Sequence, residues 1–488
     1  MARDRGRDID YLLILLIALL GAAVLYSLVA AFGPPWDLMA RYLNGKTLFD
    51  FVRYGIAPQV AFAGEFFNNQ LFYFEPYREP LSMPIFAFMD IFFSGSSVIP
   101  YLMAVYIGLL FAVYKLGKEM GIDRLILFSA LINSYALYFM FFINGGEALA
   151  LIFVLLALVY MMRRSPISGL MLGIASIAKY PTMILLPLVL LLNDREKVTF
   201  AVVLELVPLL LWGAFDYFIY GVPFYSYIAS LNTSNVLGSA SAVSIGSVAE
   251  VIAYPLIFVM TGMGMLYEAR QKIRIKWDYT TKILVSAAVL SAIGYVLVLP
   301  HNDPTTQARY GFLVFATLAI PAGMLLSKIS GKFMWLRYAA ASLSIIALLC
   351  CIYLISSQAS TPTAMYYNPL LSNTVYSHAA AALSSLGFGN CRFVSNAWVP
   401  MVYDGYDAYS PFILYTNNAI SPFIANLTAS EGAAMGDYQS GQDKYPIIAF
   451  KYIGVQKSFI LNINQSREAY TDGNFTVYLP MNASCYVG

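Results

Sequence analysis

GPPWDLMARYLNGKTL (33–48) and YFEPYREPLSMP (73–84) place acids, arginines and aromatics in one loop behind the first apolar run of the chain. Elsewhere charge is scarce: 11% of the 488 residues are charged and 59% are hydrophobic. In a chain that lives in lipid, ionisable groups are expensive and so tend to mark working positions. Asp37, Glu75, Arg78 and Glu79 stand out in this loop.

The apolar background decides the class. A mean hydropathy of +0.67 excludes an ordinary soluble globular protein. Apolar runs of membrane-spanning length recur, and about eleven spans are expected, at 11–31, 98–116, 124–142, 147–162, 166–179, 181–192, 198–215, 249–267, 281–299, 309–327 and 336–356. The pair 166–179 and 181–192 is short for two crossings. The segment 80–95 is too short and amphipathic, and reads as a helix lying in the outer interface.

Orientation follows from the cations. With the N-terminus inside, 18 of the 29 Lys and Arg fall on the inner side and 6 on the outer side, the rest lying in the tail. The expected architecture is an α-helical polytopic membrane protein, 1–357, whose first outer loop carries interfacial helices. A smaller extracytoplasmic α/β domain follows at 358–488, with strand-like runs at 445–455 and 474–480. Sequons at Asn232, Asn426, Asn464, Asn474 and Asn482 all fall on the outer side of this scheme. Cys391 and Cys485 both lie in the tail, and their pairing stays open at this stage. The first apolar run reads as a retained span rather than a cleaved signal. The net charge of +2 says nothing about nucleic acid, no phosphate-binding loop or zinc spacing occurs, and no nucleic-acid partner is expected.

Polar residues from several turns then converge on one membrane level. Asp37, Glu75 and Arg78 lie in the first loop, Glu147 at the next outer turn, Lys179 between the two short spans, and His301, Arg309 and Tyr310 at the start of a late span. Each has a structural reading as well: Lys179 snorkelling to water, Asp37 capping a helix after Pro34 and Pro35, Glu75 pairing with Arg78. One carboxylate among several cations at a bilayer surface suits a lipid-phosphate substrate. The cations would hold the phosphate, and the carboxylate would take a proton from an acceptor hydroxyl.

At these residues the chain resembles the GT-C glycosyltransferases, polytopic enzymes that use polyprenyl- or dolichyl-phosphate-linked sugars, with a mannosyltransferase- or aminoarabinose-transferase-like pattern. WDLMARYLNGKTL (36–48) is similar to that family's first-loop acid followed by an aromatic and a Gly turn. YFEPYREPLSMP (73–84) is similar to the run that opens its interfacial helix. GLMLGIASIAKYPTMILLPLVLLL (169–192) and ARYGFLVFATLAIP (308–321) are similar to its Gly-rich helix and its late Arg-Tyr span.

The resemblance implies transfer of a hexose, mannose by default, to a lipid, glycan or protein acceptor at the outer face. Asp37 would be the base, assisted by Glu75, with Arg78, Lys179, Arg309, Tyr310 and His301 around the lipid phosphate and sugar. Asp37 and Glu75 are also where a divalent cation, Mg or Mn, would sit if one is used. The single acid of PPWD departs from the acid-x-acid of many metal-using members, and the tail lacks Trp-Trp-Asp-Tyr-Gly. The competing expectation is a transporter or flippase of lipid-linked saccharides without transfer chemistry, which would place charges near the bilayer midplane. A third is the same scaffold without activity.

Overall fold

The computed structural model describes residues 2–32, 34, 36–54, 65–67, 70–72, 79–93, 98–132, 145–220, 222–228, 230, 278–298, 312–330, 335–358, 373–406, 408–409, 445–451, 466–483 and 485. Helices run over Ala2–Phe32 (α1), Trp36–Tyr54 (α2), Ser82–Phe93 (α3), Val98–Met120 (α4), Arg124–Ile132 (α5), Gly145–Met162 (α6), Ile167–Ala178 (α7) and Arg195–Tyr220 (α8). Tyr279–Val298 (α9), Phe312–Ser330 (α10) and Trp335–Gln358 (α11) complete the membrane part. Among the described residues four stretches are long and apolar enough to cross a membrane: Ile9–Ser27, Val98–Met120, Arg195–Tyr217 and Tyr279–Val296. The expected span 249–267 lies outside the described residues, so the count of eleven rests on sequence.

These helices carry large apolar side chains outward, such as Leu12, Leu15 and Leu19 on α1 and Leu210 and Leu211 on α8. That pattern suits lipid rather than water. Their buried faces meet in neighbouring pairs, α4 on α6, α6 on α7, α7 on α8, and α1 on α11. The α7–α8 seam is tight. A Cβ at Gly169 would lie 1.9 Å from the Ala201 carbonyl oxygen and one at Gly173 would lie 2.4 Å from that of Glu205. Glycines four apart let two helix backbones touch where apolar side chains gain little over lipid. At the end of the bundle that holds the N-terminus, Arg337 on α11 pairs with Asp10 on α1 and Asp123 before α5.

The two short segments have a physical explanation. Pro181 cannot continue the ladder of α7, and the chain goes on as a 3-10 helix over Tyr180–Leu191 with Pro187 inside it. A 3-10 helix rises about 2.0 Å per residue against about 1.5 Å for an α-helix. A segment too short for an α-helical crossing therefore reaches about 24 Å.

The first loop differs from a plain connector. Its start is the 19-residue helix α2, followed by a short hairpin of Glu65–Phe67 (β1) and Gln70–Phe72 (β2). The expected interfacial segment 80–95 is helix α3, with Phe88, Ile91 and Phe92 exposed on its outer side.

The tail forms a five-stranded sheet in the order β4-β3-β5-β7-β6: Phe393–Ser395 (β3), Ala408–Tyr409 (β4), Ile447–Phe450 (β5), Ser466–Thr471 (β6) and Phe475–Pro480 (β7). β3 runs parallel to β4 and β5, whereas β7 is antiparallel to β5 and β6. The helices Asn373–Ser385 (α12) and Trp398–Tyr403 (α13) complete it. Cys391 and Cys485 form a disulfide. The Asn396 amide donates to the Phe450 carbonyl at 2.9 Å and accepts from the Phe450 N–H at 2.8 Å, tying the end of β3 to β5.

Candidate functional site

Four ionisable side chains from four separate elements meet where α7 ends. Arg41 comes from α2, Glu79 from the turn before α3, Glu147 from the first turn of α6, and Lys179 from the break between α7 and the 3-10 helix. The Lys179 Nζ lies 2.9 Å from Glu79 Oε1 and 2.9 Å from Glu147 Oε1. Arg41 pairs with Glu79 through its other oxygen, Oε2, and also donates to the Ser82 hydroxyl at 3.3 Å. All four side chains are buried, and two cations balance two carboxylates.

Local sequence explains why each charge tolerates its place. Glu147 sits in the N-terminal turn of α6 and Lys179 at the C-cap of α7. A carboxylate at a helix start and a cation at a helix end each complement the helix dipole. Lys179 takes an extended conformation, φ −157° and ψ 114°, and its carbonyl accepts from both the N–H and the hydroxyl of Thr182. The turn of Glu79 is fastened to the same place by a hydrogen bond from the Leu81 N–H to the Ile177 carbonyl, 3.2 Å. Gly146 leaves room for the guanidinium, since a Cβ there would stand 2.9 Å from Arg41 Cζ. Tyr101 on α4, fully buried and stacked on Phe86 at 4.2 Å, closes one side.

Burial opposes the charge on Glu79, but Arg41 and Lys179 outweigh it and hold its carboxyl at about 2. Glu79 is therefore ionised across the physiological range. The network pairs each of its carboxylates with a cation. Its chemical capacity is to hold α2 and the α3 turn against the ends of α6 and α7.

Beside it lies a second polar group. Tyr180 stacks on Trp212 of α8 with ring centroids 5.3 Å apart. The Trp212 indole donates to the Ser226 hydroxyl at 2.7 Å, and Ser226 donates through both its N–H and its hydroxyl to Asp216 Oδ2, at 2.8 and 2.6 Å. These bonds fasten the segment after α8 over the start of the 3-10 helix.

The sequence-expected residues divide sharply. Lys179 is neither snorkelling nor presented to solvent: it is 2% exposed, with its ammonium engaged by two carboxylates. A direct grip on a lipid phosphate is thus not what its position offers. Asp37 occupies the second position of α2, one turn before Arg41, rather than a cap ahead of the helix. Glu75, Arg78, His301, Arg309 and Tyr310 lie outside the described residues. Sequence reading singled out Glu79 and Glu147 as polar residues without giving them a role, and it left Arg41 in the background. The signal of Arg41 was available, since it is an ionisable group in the charged first loop of an apolar chain.

No family model matches the chain, and no curated protein matches it. The chain is similar in structure to the arabinofuranosyltransferase AftD from Mycobacteria. The match to AftD has 12% sequence identity and a TM-score of 0.47, and it covers 97% of this chain. The chain spans about 40% of the length of AftD. A likeness at this identity and TM-score establishes neither fold nor activity.

Proposed function

We propose that this chain is a membrane glycosyltransferase that moves a hexose, mannose by default, from a polyprenyl- or dolichyl-phosphate carrier to an acceptor at the outer membrane face. The observation that carries the reading is the buried Arg41–Glu79–Lys179–Glu147 network, which anchors the helix bearing Asp37 to the ends of two membrane helices. Catalysis with a phosphate leaving group needs placement more than covalent chemistry. A loop that is clamped through buried charge supplies placement.

In this reading Asp37 takes the proton of the acceptor hydroxyl while that oxygen bonds to the anomeric carbon. The bond from that carbon to the phosphate oxygen breaks, the lipid phosphate leaves with its electron pair, and the configuration inverts. Arg78 and Arg309 face the phosphate, with His301 and Tyr310 near the sugar and Glu75 assisting. Lys179 acts through Glu79 and Glu147 as a positioning residue. Catalysis by Asp37 rests on its placement against the acceptor hydroxyl.

A divalent cation, if used, would draw on Asp37 and Glu75. Among the described residues no group of three or more His, Cys, Asp or Glu is placed to hold a metal. An outward tail is supported by the sequons, by the distribution of Lys and Arg, and by the Cys391–Cys485 bond, which needs an oxidising compartment.

The test is transfer of radiolabel from a panel of polyprenyl-phosphate sugars by purified protein in native lipid extract, beside Asp37→Asn. Label should move in the wild type only. Transfer by both proteins would remove Asp37 as base, and transfer by neither would remove the enzyme reading.

One observation favours a second reading, a transporter or flippase of lipid-linked saccharides. Glu205 is buried within α8, and its Oε2 has no hydrogen-bond partner among the described residues. A lone carboxylate in a membrane helix is what that reading expects. Loss of saccharide flipping in vesicles on Glu205→Gln, without any transfer activity in the wild type, would favour it.

A further inference from the structure

The tail touches the membrane part at a position that bears on the proposed chemistry. Helix α13 lies against α2. At their contact the Tyr403 ring meets Tyr42 edge-on, with centroids 5.4 Å apart and planes at 74°. On its other side Tyr42 meets Phe86 of α3 edge-on at 5.9 Å. Tyr42 is thus held between a ring of the interfacial helix and a ring of the tail. It directly follows Arg41, and Asp37 lies five residues earlier on the same helix.

α13 itself is held by the tail's own core. Residues Trp398 to Val402 are buried. β3 and β4 on either side pair in parallel, and the Asn396 amide and the Cys391–Cys485 bond fasten that region to β5 and to the C-terminal end. Besides its packing on α3, α2 is therefore held through charge at Arg41 and through rings at Tyr42.

We propose that Tyr403 is a positioning residue for the proposed catalytic helix, so that the tail completes the site rather than only covering it. The inference rests on the glycosyltransferase reading for its catalytic consequence, while the docking itself stands apart from it. An edge-on pair needs the ring and not the hydroxyl, so Phe at 403 should serve where Ala does not. Misplacing a catalytic group by about 1 Å costs up to about a hundredfold in rate.

The experiment has two arms. The first uses full-length protein in native membranes and reads the docking of α2. Amide hydrogen exchange over 36–54 is compared for wild type, Tyr403→Ala and Tyr403→Phe. In the second, kcat and donor KM are measured for the same two variants.

The proposal expects faster exchange in the Ala variant only. It also expects kcat of that variant down about ten- to a hundredfold with donor KM within about twofold. Unchanged exchange in Tyr403→Ala overturns the docking. Faster exchange with wild-type kcat in Tyr403→Ala overturns the positioning role. If the wild type transfers no sugar the glycosyltransferase reading fails, and the first arm still decides the docking.

Discussion

The Lys179 ammonium lies 2.9 Å from the Glu147 carboxylate, although one residue closes α7 and the other opens α6. The antiparallel packing of these helices brings a helix start and a helix end to one level, and each charge also suits its own helix dipole. Glu79 then joins the pair to the first loop. Breaking a buried pair by removing one partner strands the other charge, at a cost of about 3–5 kcal/mol. Glu147→Gln leaves Lys179 paired with Glu79 alone and the network with one cation in excess, so it should destabilise the protein by up to about that much, read as the unfolding midpoint in nanodiscs. Adding Lys179→Met should recover part of the loss, and strictly additive effects would refute the coupling.

Two glycines at opposite ends of the α6–α7 pair should respond differently to alanine. At Gly169 the new Cβ meets backbone, 1.9 Å from the Ala201 oxygen, so α7 and α8 must separate. At Gly146 it meets the end of the Arg41 side chain at 2.9 Å. Overpacking costs about 1–3 kcal/mol, and Gly169→Ala should be the worse of the two. The reverse order in unfolding midpoints would mean that the guanidinium cannot shift.

Stability should fall in acid through Glu79. Its carboxyl is held at about 2 in the folded protein against an ordinary value of 4.5. The unfolded chain therefore takes up that proton first as pH falls. The contribution is fully present above about 4.5 and is lost as pH falls to about 2. Unfolding midpoints of wild type and Glu79→Gln between pH 7 and pH 2 should converge in that window. Parallel profiles would show that Glu79 is not the group.

Arg78→Ala and Arg309→Ala should each weaken binding of a polyprenyl phosphate by about ten- to a hundredfold, the worth of a charge-assisted hydrogen bond. Binding to purified protein checks this without turnover. Unchanged affinity in both would remove the phosphate role.

The side on which the tail lies can be read directly. Met481 is 91% exposed at the end of β7. Met481→Cys should react with an impermeant maleimide on intact cells, and labelling only after lysis would invert the topology.

Much of the architecture was legible in the residues themselves. The apolar runs coincide with α1, α4, α6, α8 and α9, the short run at 80–95 with α3, and the strand-like runs at 445–455 and 474–480 with β5 and β7. The first loop was legible as the charged region carrying interfacial helices, but the extent of the 19-residue helix α2 was not. WDLMARYLNGKTLFDFVRY mixes charges, aromatics and Gly45 without a strong apolar stripe, and α2 is held by tertiary partners instead. The 3-10 form of Tyr180–Leu191 was also hidden, because two prolines say where α-helix is difficult without saying what replaces it.

Membrane residence is a property of short windows. The free energy of moving a run of side chains into lipid is a sum over neighbours in sequence, so the sequence alone determined it. The partners of a buried charge are set otherwise. Arg41 and Glu79, Lys179 and Glu147, Tyr42 and Tyr403, and Cys391 and Cys485 meet because particular helix ends and strands pack together. Their energies depend on separation and burial, which exist only once the chain has folded. Tertiary structure therefore decided that Lys179 braces the first loop from within, where its place in the sequence suggested a cation facing outward.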